Sequence, residues 1–292
     1  PFFSTVILCA LPILEYGTGE QKAKFLPKIA EGEEIWALAL TEPSVRYDAS
    51  GIELGATLEG GEYVLEGTKL FVPDAHVASY LLVVARTSKN ENPREGITVF
   101  IVDAKNPGIK LEVIPTAAND KQCEIHFDKA RVSKDNILGE IDRGWKVADF
   151  TFQRGTMLKC AEVLGGCQAA LDMTNTYCKD RIQFDKPIGS FQAVQHRMAD
   201  MLMNVEGLRY LLYEAAWGIN IGSPSNLLIS MAKAKANEVH ERTCIEAVRN
   251  HGAVGFTQDH DIGLYYRRVK AAQYAFGDSD FHRERVAIEL EF

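Results

Sequence analysis

The feature that most constrains this chain is a double change in hydrophobic period. Apolar residues recur at helical spacing over residues 1 to about 33, at strand spacing from Trp36 to about Phe127, and at helical spacing again after Gly144-Trp145. A 3.6-residue period buries one stripe of a helix, and a two-residue period buries one face of a strand. Segregated blocks of this kind specify an α+β multidomain chain. The expected parts are short amino-terminal helices over residues 1–35, an antiparallel β-barrel or sandwich as a middle domain over 36–135, and a carboxy-terminal four-helix bundle over 136–292.

Local signals sharpen each block. Val6, Leu8, Cys9, Leu11 and Leu14 predict a first apolar helix, Gly17 ends it, and Thr18 is placed to cap a second helix whose apolar face is Phe25, Leu26 and Ile29. Gly60-Gly61 predicts a two-residue hairpin inside Thr57–Val72. Further strands are expected at Tyr80–Ala85, Ile97–Val102, Ile109–Ile114 and Cys123–Phe127. Beyond Trp145, Met157, Cys160, Leu164, Cys167 and Leu171 form one helical stripe, and Val194, Met198, Met201, Val205, Leu208 and Leu212 form another. Leu228, Met231, Ala232 and Val239 begin a third helix, and Leu264–Tyr274 a fourth. The methionines in these stripes are read as packing residues.

Composition excludes several function classes. A net charge of −8 argues against a nucleic-acid or anionic-membrane surface, because both need concentrated Lys and Arg. The six cysteines lack CxxC pairs or metal-ligand spacing, which implies free thiols and a reducing, cytoplasmic setting. No apolar run approaches the ~20 residues that span a bilayer. Pro1, rather than Met, opens the sequence inside a helical pattern, so upstream helices are expected.

Four segments carry chemistry. They are Ala37–Pro43 (ALALTEP), Gly67–Ala75 (GTKLFVPDA), Arg181–Met201 (RIQFDKPIGSFQAVQHRMADM) and Arg249–Asp261 (RNHGAVGFTQDHD). In the third, an Arg beside an exposed Phe and two Gln can pair a pyrophosphate and cover an aromatic cofactor. In this order, over nearly the whole chain, the four segments resemble the acyl-CoA dehydrogenases, with most of the amino-terminal helical domain lacking. The resemblance implies FAD as cofactor. It assigns Leu40 and Thr41 to the pyrimidine edge of the flavin, and Phe71, Val72 and Pro73 to its face and N5. Arg181, Gln183, Phe184 and Gln192 are assigned to the pyrophosphate, and Arg249, His251 and Gly252 to the adenine half, reached from a neighbouring subunit. It also implies an acyl-CoA substrate, a homo- or hetero-tetramer, and an electron-transfer flavoprotein as acceptor.

The reaction this family performs removes an α-proton with a carboxylate while the β-hydrogen leaves as hydride. The usual base lies in a Tyr-Glu-Gly segment; here the segment reads Tyr274-Ala275-Phe276-Gly277-Asp278, with Phe276 at the Glu position. Some members place the base one residue before an Arg on the helix that opens the bundle, and this chain has Gln153-Arg154 there. Neither Phe nor Gln accepts a proton at neutral pH. Arg154 is kept as a substrate contact. Three explanations stay open: a relocated carboxylate at Asp278 or Asp280, with Asp278 also beside the cofactor; a base supplied by upstream residues or by a catalytic partner subunit, this chain then being non-catalytic; or a flavin-dependent monooxygenase that needs no such base.

Overall fold

The computed structural model describes residues 1–291. The chain divides into two compact units, Pro1–Gly155 and Thr156–Phe292.

The first unit opens with a π-helical segment, Phe3–Ala10, that runs into α1 (Leu11–Tyr16) and is followed by α2 (Gly19–Ala30). The wider π turn moves residues off 3.6-residue spacing. The buried positions are therefore Ile7, Leu8, Cys9 and Ile13, and Leu14, expected inside, is 55% exposed. Thr18 caps α2 through a reciprocal capping box with Gln21. Phe25 turns its ring onto Trp36 and Tyr80, at 4.9 and 5.3 Å between centroids.

Those two aromatics belong to the sheet. Its strands are β1 (Trp36–Ala39), β2 (Gly55–Glu59), β3 (Glu62–Pro73), β4 (Tyr80–Arg86), β5 (Ile97–Asp103), β6 (Ile109–Ile114), β7 (Gln122–Ser133) and β8 (Ile137–Leu138). The order is β6-β7-β3-β2-β4-β5-β8, with β1 also paired to β4. Gly60 and Gly61, at φ 61° and 95°, make the β2–β3 hairpin, with Glu59 opposite Glu62. Most pairings are antiparallel, as expected. The departures are β1, which runs parallel to β4 from Trp36↔Tyr80 to Ala39↔Val83, and a single parallel pair, Gly55↔Arg86. Alternation of side chains carries no strand direction, so this parallel pairing has no mark in the sequence. Leu65, Leu81, Val83, Phe100 and Ile125 are among the residues filling the core against one face of the sheet.

A long helix, α3 (Trp145–Asp180), leads from the first unit into the second, followed by a small hairpin of β9 (Ile182–Gln183) and β10 (Lys186–Pro187). The remaining helices are α4 (Gln192–Asn220), α5 (Asn226–His251), α6 (Ile262–Tyr274) and α7 (Ser279–Glu289). The two predicted stripes meet in the core: Cys160, Leu164, Cys167 and Leu171 of α3 pack with Met201, Val205, Leu208 and Leu212 of α4. Two details differ from expectation. Met231 is 39% exposed, whereas the neighbouring Lys233 is fully buried. The additional helix α7 buries only His282, too little apolar periodicity to signal a helix.

All six cysteines are buried and free of disulfides, and burial pushes the Cys160 and Cys167 thiols up to about 12. No helix among the described residues is long and apolar enough to cross a membrane.

Candidate functional site

In the first unit, the segments expected at the flavin ring lie at the ends of β1 and β3. Leu40 and Thr41 follow directly on β1 and are half-buried. The Thr41 carbonyl accepts the backbone N–H of Leu70 at 2.9 Å, which ties the β1 exit to β3. A bulge between Lys69 and Val72 then puts extra residues into β3. Within it Phe71 takes φ 53°, a left-handed conformation uncommon for an aromatic, and its ring is 46% exposed. Val72 points into the core and is 1% exposed, which leaves only its backbone for a ligand. Pro73 closes the strand, and Asp74, at φ 59°, accepts the Ser4 hydroxyl at 2.5 Å. The strand end is thus fixed from two sides with its aromatic ring facing out.

Beneath this edge lies an ion pair that sequence reading missed. Lys69 and Glu42 are both buried, with Nζ 2.6 Å from Oε1. Lys69 also donates to the Leu40 carbonyl at 3.0 Å, while Glu42 accepts the backbone N–H groups of Glu53 and Leu54. Burial pulls the Lys69 pKa down to about 8 against the opposing pull of Glu42. Alternation along β3 carries no mark of this pair, because Lys69 is flanked by the half-buried Thr68 and Leu70.

On the first-unit part of α3, Arg154 lays its guanidinium over the Phe150 ring, 4.8 Å from the centroid. Burial lowers its pKa while Glu15 and Tyr16 favour its charge. The neighbouring Gln153 donates its amide to Asp149 at 2.8 Å, so the position holds a satisfied amide and no base.

In the second unit the expected pyrophosphate segment is the β9–β10 hairpin. Gln183 pairs with Lys186 and Ile182 with Pro187, across a turn in which Phe184 and Asp185 both have positive φ. Phe184 is 86% exposed, and Arg181, Gln183 and Gln192 are exposed beside it. Gln192 opens α4, where backbone N–H groups and the helix dipole favour an anion. Lys186 sits 4.3 Å over the Phe191 ring and adds a second cation to the hairpin.

The adenine segment differs in detail from expectation. Arg249 is exposed but already bound to Glu246 at 2.6 Å. His251 is 3% exposed, stacked on Tyr177 at 4.4 Å, with Nδ1 2.7 Å from the Ala247 carbonyl. Burial lowers its pKa, and its side chain is packed in the interior and not on the surface. Gly252 follows at φ 64° and ψ −139°, a conformation that strongly favours glycine.

The turn at the usual base position is equally well defined. Phe276 has φ 59° and Gly277 φ 98°. A Cβ on Gly277 would stand 2.6 Å from Phe281 and 2.7 Å from His282. Asp278 spends its carboxylate capping α7, accepting the Phe281 N–H at 2.9 Å. Asp280 is exposed and bound to Arg283.

Comparison with known proteins identifies the family and the fold. The profiles for the acyl-CoA dehydrogenase N-terminal, middle and C-terminal domains match residues 2–33, 37–130 and 142–290. A short-chain specific acyl-CoA dehydrogenase of Megasphaera elsdenii is 36% identical over 281 residues, 95% of this chain and 73% of the relative. The structure of butyryl-CoA dehydrogenase from the same organism superposes with a TM-score of 0.94 at 33% identity, covering 99% of this chain and 76% of that one. An FAD complex of PigA superposes equally well, with a TM-score of 0.94 at 27% identity and the same coverages. The chain therefore spans about three quarters of the length of these relatives, and it belongs to the acyl-CoA dehydrogenase family of oxidoreductases.

Proposed function

We propose that this protein binds FAD and takes part in α,β-dehydrogenation of an acyl thioester, with acyl-CoA as the substrate class. The observation that carries the proposal is Phe71: a large aromatic ring held outward at the end of a strand by a bulge and a left-handed backbone. Burial of that ring would be worth about 2 kcal/mol in a folded core. A flat apolar partner supplies the same burial.

The other residues fit the same cofactor. Leu40 and Thr41 offer backbone and hydroxyl groups at the β1 exit, and Val72 and Pro73 supply backbone carbonyls beside Phe71. Arg181, Gln183 and Gln192 present donors to a diphosphate, with Phe184 as an apolar cover. Arg249 reaches a phosphate by exchanging its Glu246 partner, and Gly252 gives close backbone approach. Bound FAD would serve as the hydride acceptor. Arg154, on α3, is the residue proposed to contact the substrate.

Phe276, Gln153 and the capping role of Asp278 favour a specific version of this function. The chain acts as a subunit of a homo- or hetero-tetramer in which the α-proton is removed by a carboxylate at neither of the two usual positions, 153 and 276. An electron-transfer flavoprotein is the proposed acceptor. The test is anaerobic titration of the FAD-loaded protein with a panel of acyl-CoAs, alone and with candidate partner subunits. Bleaching by the chain alone supports an autonomous enzyme; bleaching only with a partner supports the subunit reading. Failure to bind FAD in any assembly sinks both.

A further inference from the structure

The turn between α5 and α6 closes over two imidazoles. His251, the last residue of α5, is buried, with its ring stacked on Tyr177 of α3 at 4.4 Å and tilted against the ring of His260 at 4.7 Å. Its Nδ1–H donates to the Ala247 carbonyl at 2.7 Å, so Nε2 carries the lone pair of the neutral ring. That Nε2 is buried and meets no hydrogen-bond partner among the described residues. The half-buried His260 is used in the opposite sense: its Nδ1 accepts the backbone N–H of Ile262 at 3.2 Å. Ile262 opens α6, whose N-cap residue Asp261 makes no side-chain cap, so His260 satisfies an N–H that the helix leaves without an internal partner.

The intervening loop lies directly on His251. Gly255 is buried, and a Cβ there would stand 3.1 Å from the His251 Cβ and 2.9 Å from the Val248 carbonyl. Tyr177 donates its hydroxyl to the His251 carbonyl at 3.3 Å, which fixes the point where the loop leaves α5. Val254 and Phe256 stand exposed on the same loop. Few ionisable groups face the two imidazoles. They are Tyr177 from α3, the exposed Asp259 and Asp261 on either side of His260, and Arg267 of α6, whose guanidinium lies against Gly263.

A proton added to His251 Nε2 is buried without an acceptor, and a proton added to His260 Nδ1 takes the lone pair that Ile262 uses. With both rings charged, two imidazolium groups stand 4.7 Å apart in one packed site. Water relieves these costs only after Gly255 lifts from His251. We propose that His251 and His260 form an acid-sensitive latch on residues 252–261: the loop is closed while both rings are neutral and opens as they take up protons. Burial acts on His251 in the required direction, lowering its pKa in the closed loop from the ordinary value of 6.5. An opened ring regains that value, so closure is full above pH 6.5 and is lost as pH falls, the open population rising about tenfold per pH unit through His251. Gly252 belongs to this loop, so acid loosening of FAD is a consequence that rests on the cofactor contacts proposed above. The latch itself does not.

The test is hydrogen–deuterium exchange on the FAD-loaded protein in its assembled state at pH 7.5 and 5.5, corrected for intrinsic exchange rates, with FAD retention followed by gel filtration. Wild-type exchange in residues 252–262 should rise by about tenfold at pH 5.5 relative to the middle of α5. His251→Phe keeps a flat ring that takes no proton, and His260→Asn keeps an acceptor for the Ile262 N–H. The double variant should hold the loop's exchange within about twofold across the same range. A wild-type loop that ignores pH overturns the inference, and so does an equal rise in the double variant, which assigns acid opening to His240 or His282. Should His251→Phe fail to fold, His260→Asn alone is read by the same measurement, with a diminished rise expected and an undiminished one overturning the paired latch. A loop that opens in acid while FAD is fully retained upholds the latch and removes Gly252 from the cofactor contacts. A protein that binds no FAD gives the exchange result by itself, so the latch and the cofactor reading fail separately.

Discussion

Lys69 and Glu42 meet at 2.6 Å with both side chains buried, and together they join the exit of β1 to the bulge of β3. Each residue protects the other from being an uncompensated charge. Lys69→Met should therefore destabilise the protein by about 3–5 kcal/mol, because Glu42 is left buried with only backbone N–H partners. The double variant Lys69→Met/Glu42→Gln should recover much of that loss. Urea unfolding of the three proteins checks this, and additive losses would show that the pair is not coupled.

Arg181→Ala should weaken FAD binding by about 1.5–3 kcal/mol, roughly ten- to a hundredfold in Kd, through loss of a charge-assisted phosphate contact. Arg181 is exposed, so the melting temperature of the apoprotein should not move. Fluorescence titration with FAD provides the readout.

Phe276→Glu should confer or raise thioester-dependent bleaching, by as much as about 10²–10⁴-fold when the rest of the pocket is competent, the usual range for a positioned general base. The left-handed backbone at 276 is imposed by its neighbours and should persist in the variant. An unchanged rate would mean that the pocket has diverged beyond its base.

Asp278→Ala should cost about 1 kcal/mol by uncapping α7, whereas Asp278→Asn should cost only a few tenths, because Asn caps nearly as well as Asp. Thermal unfolding distinguishes the two. A large loss of flavin reduction in the Asn variant at undiminished stability would instead mark Asp278 as the base.

Acid should destabilise the second unit through its buried imidazoles. Burial lowers the pKa of His240 and of His282 to about 4, from 6.5. Between those values the unfolded chain binds protons that the folded chain does not, so stability is full above pH 6.5 and is lost as pH falls toward 4. The loss should reach a few kcal/mol for the two imidazoles together, since each tenfold difference in proton affinity between folded and unfolded chains is worth about 1.4 kcal/mol. Chemical denaturation at pH 7.0 and 4.5 measures it, and His240→Leu should flatten the dependence.

Much of this architecture is legible in the residues. Thr18, Gly60-Gly61 and the paired stripes of α3 and α4 each carry a local rule that tertiary packing obeys. What escapes a reading of the sequence is set by partners distant along the chain. The parallel course of β1 beside β4 depends on direction, which side-chain alternation does not encode. The winding of Phe3–Ala10 shifts an apolar face that simple spacing places on Leu14. Lys69 and Lys233 look like surface lysines until Glu42 and the α6 carbonyls are brought to them. Among the candidate contacts, the exposed rings of Phe71 and Phe184 sit on unusual backbone. The side chains of Val72 and His251 belong to the interior, and only the packing of the folded chain reveals it.

The β9–β10 turn has a cost that a hairpin need not bear. Two-residue turns with both φ values positive favour Asn-Gly, yet this one holds Phe184 and Asp185. An Asn-Gly graft there should tighten the ribbon while deleting its protruding ring. Thermal robustness and ligand retention would then move in opposite directions, making this short loop a place where engineering for endurance directly trades against the protein's chemistry.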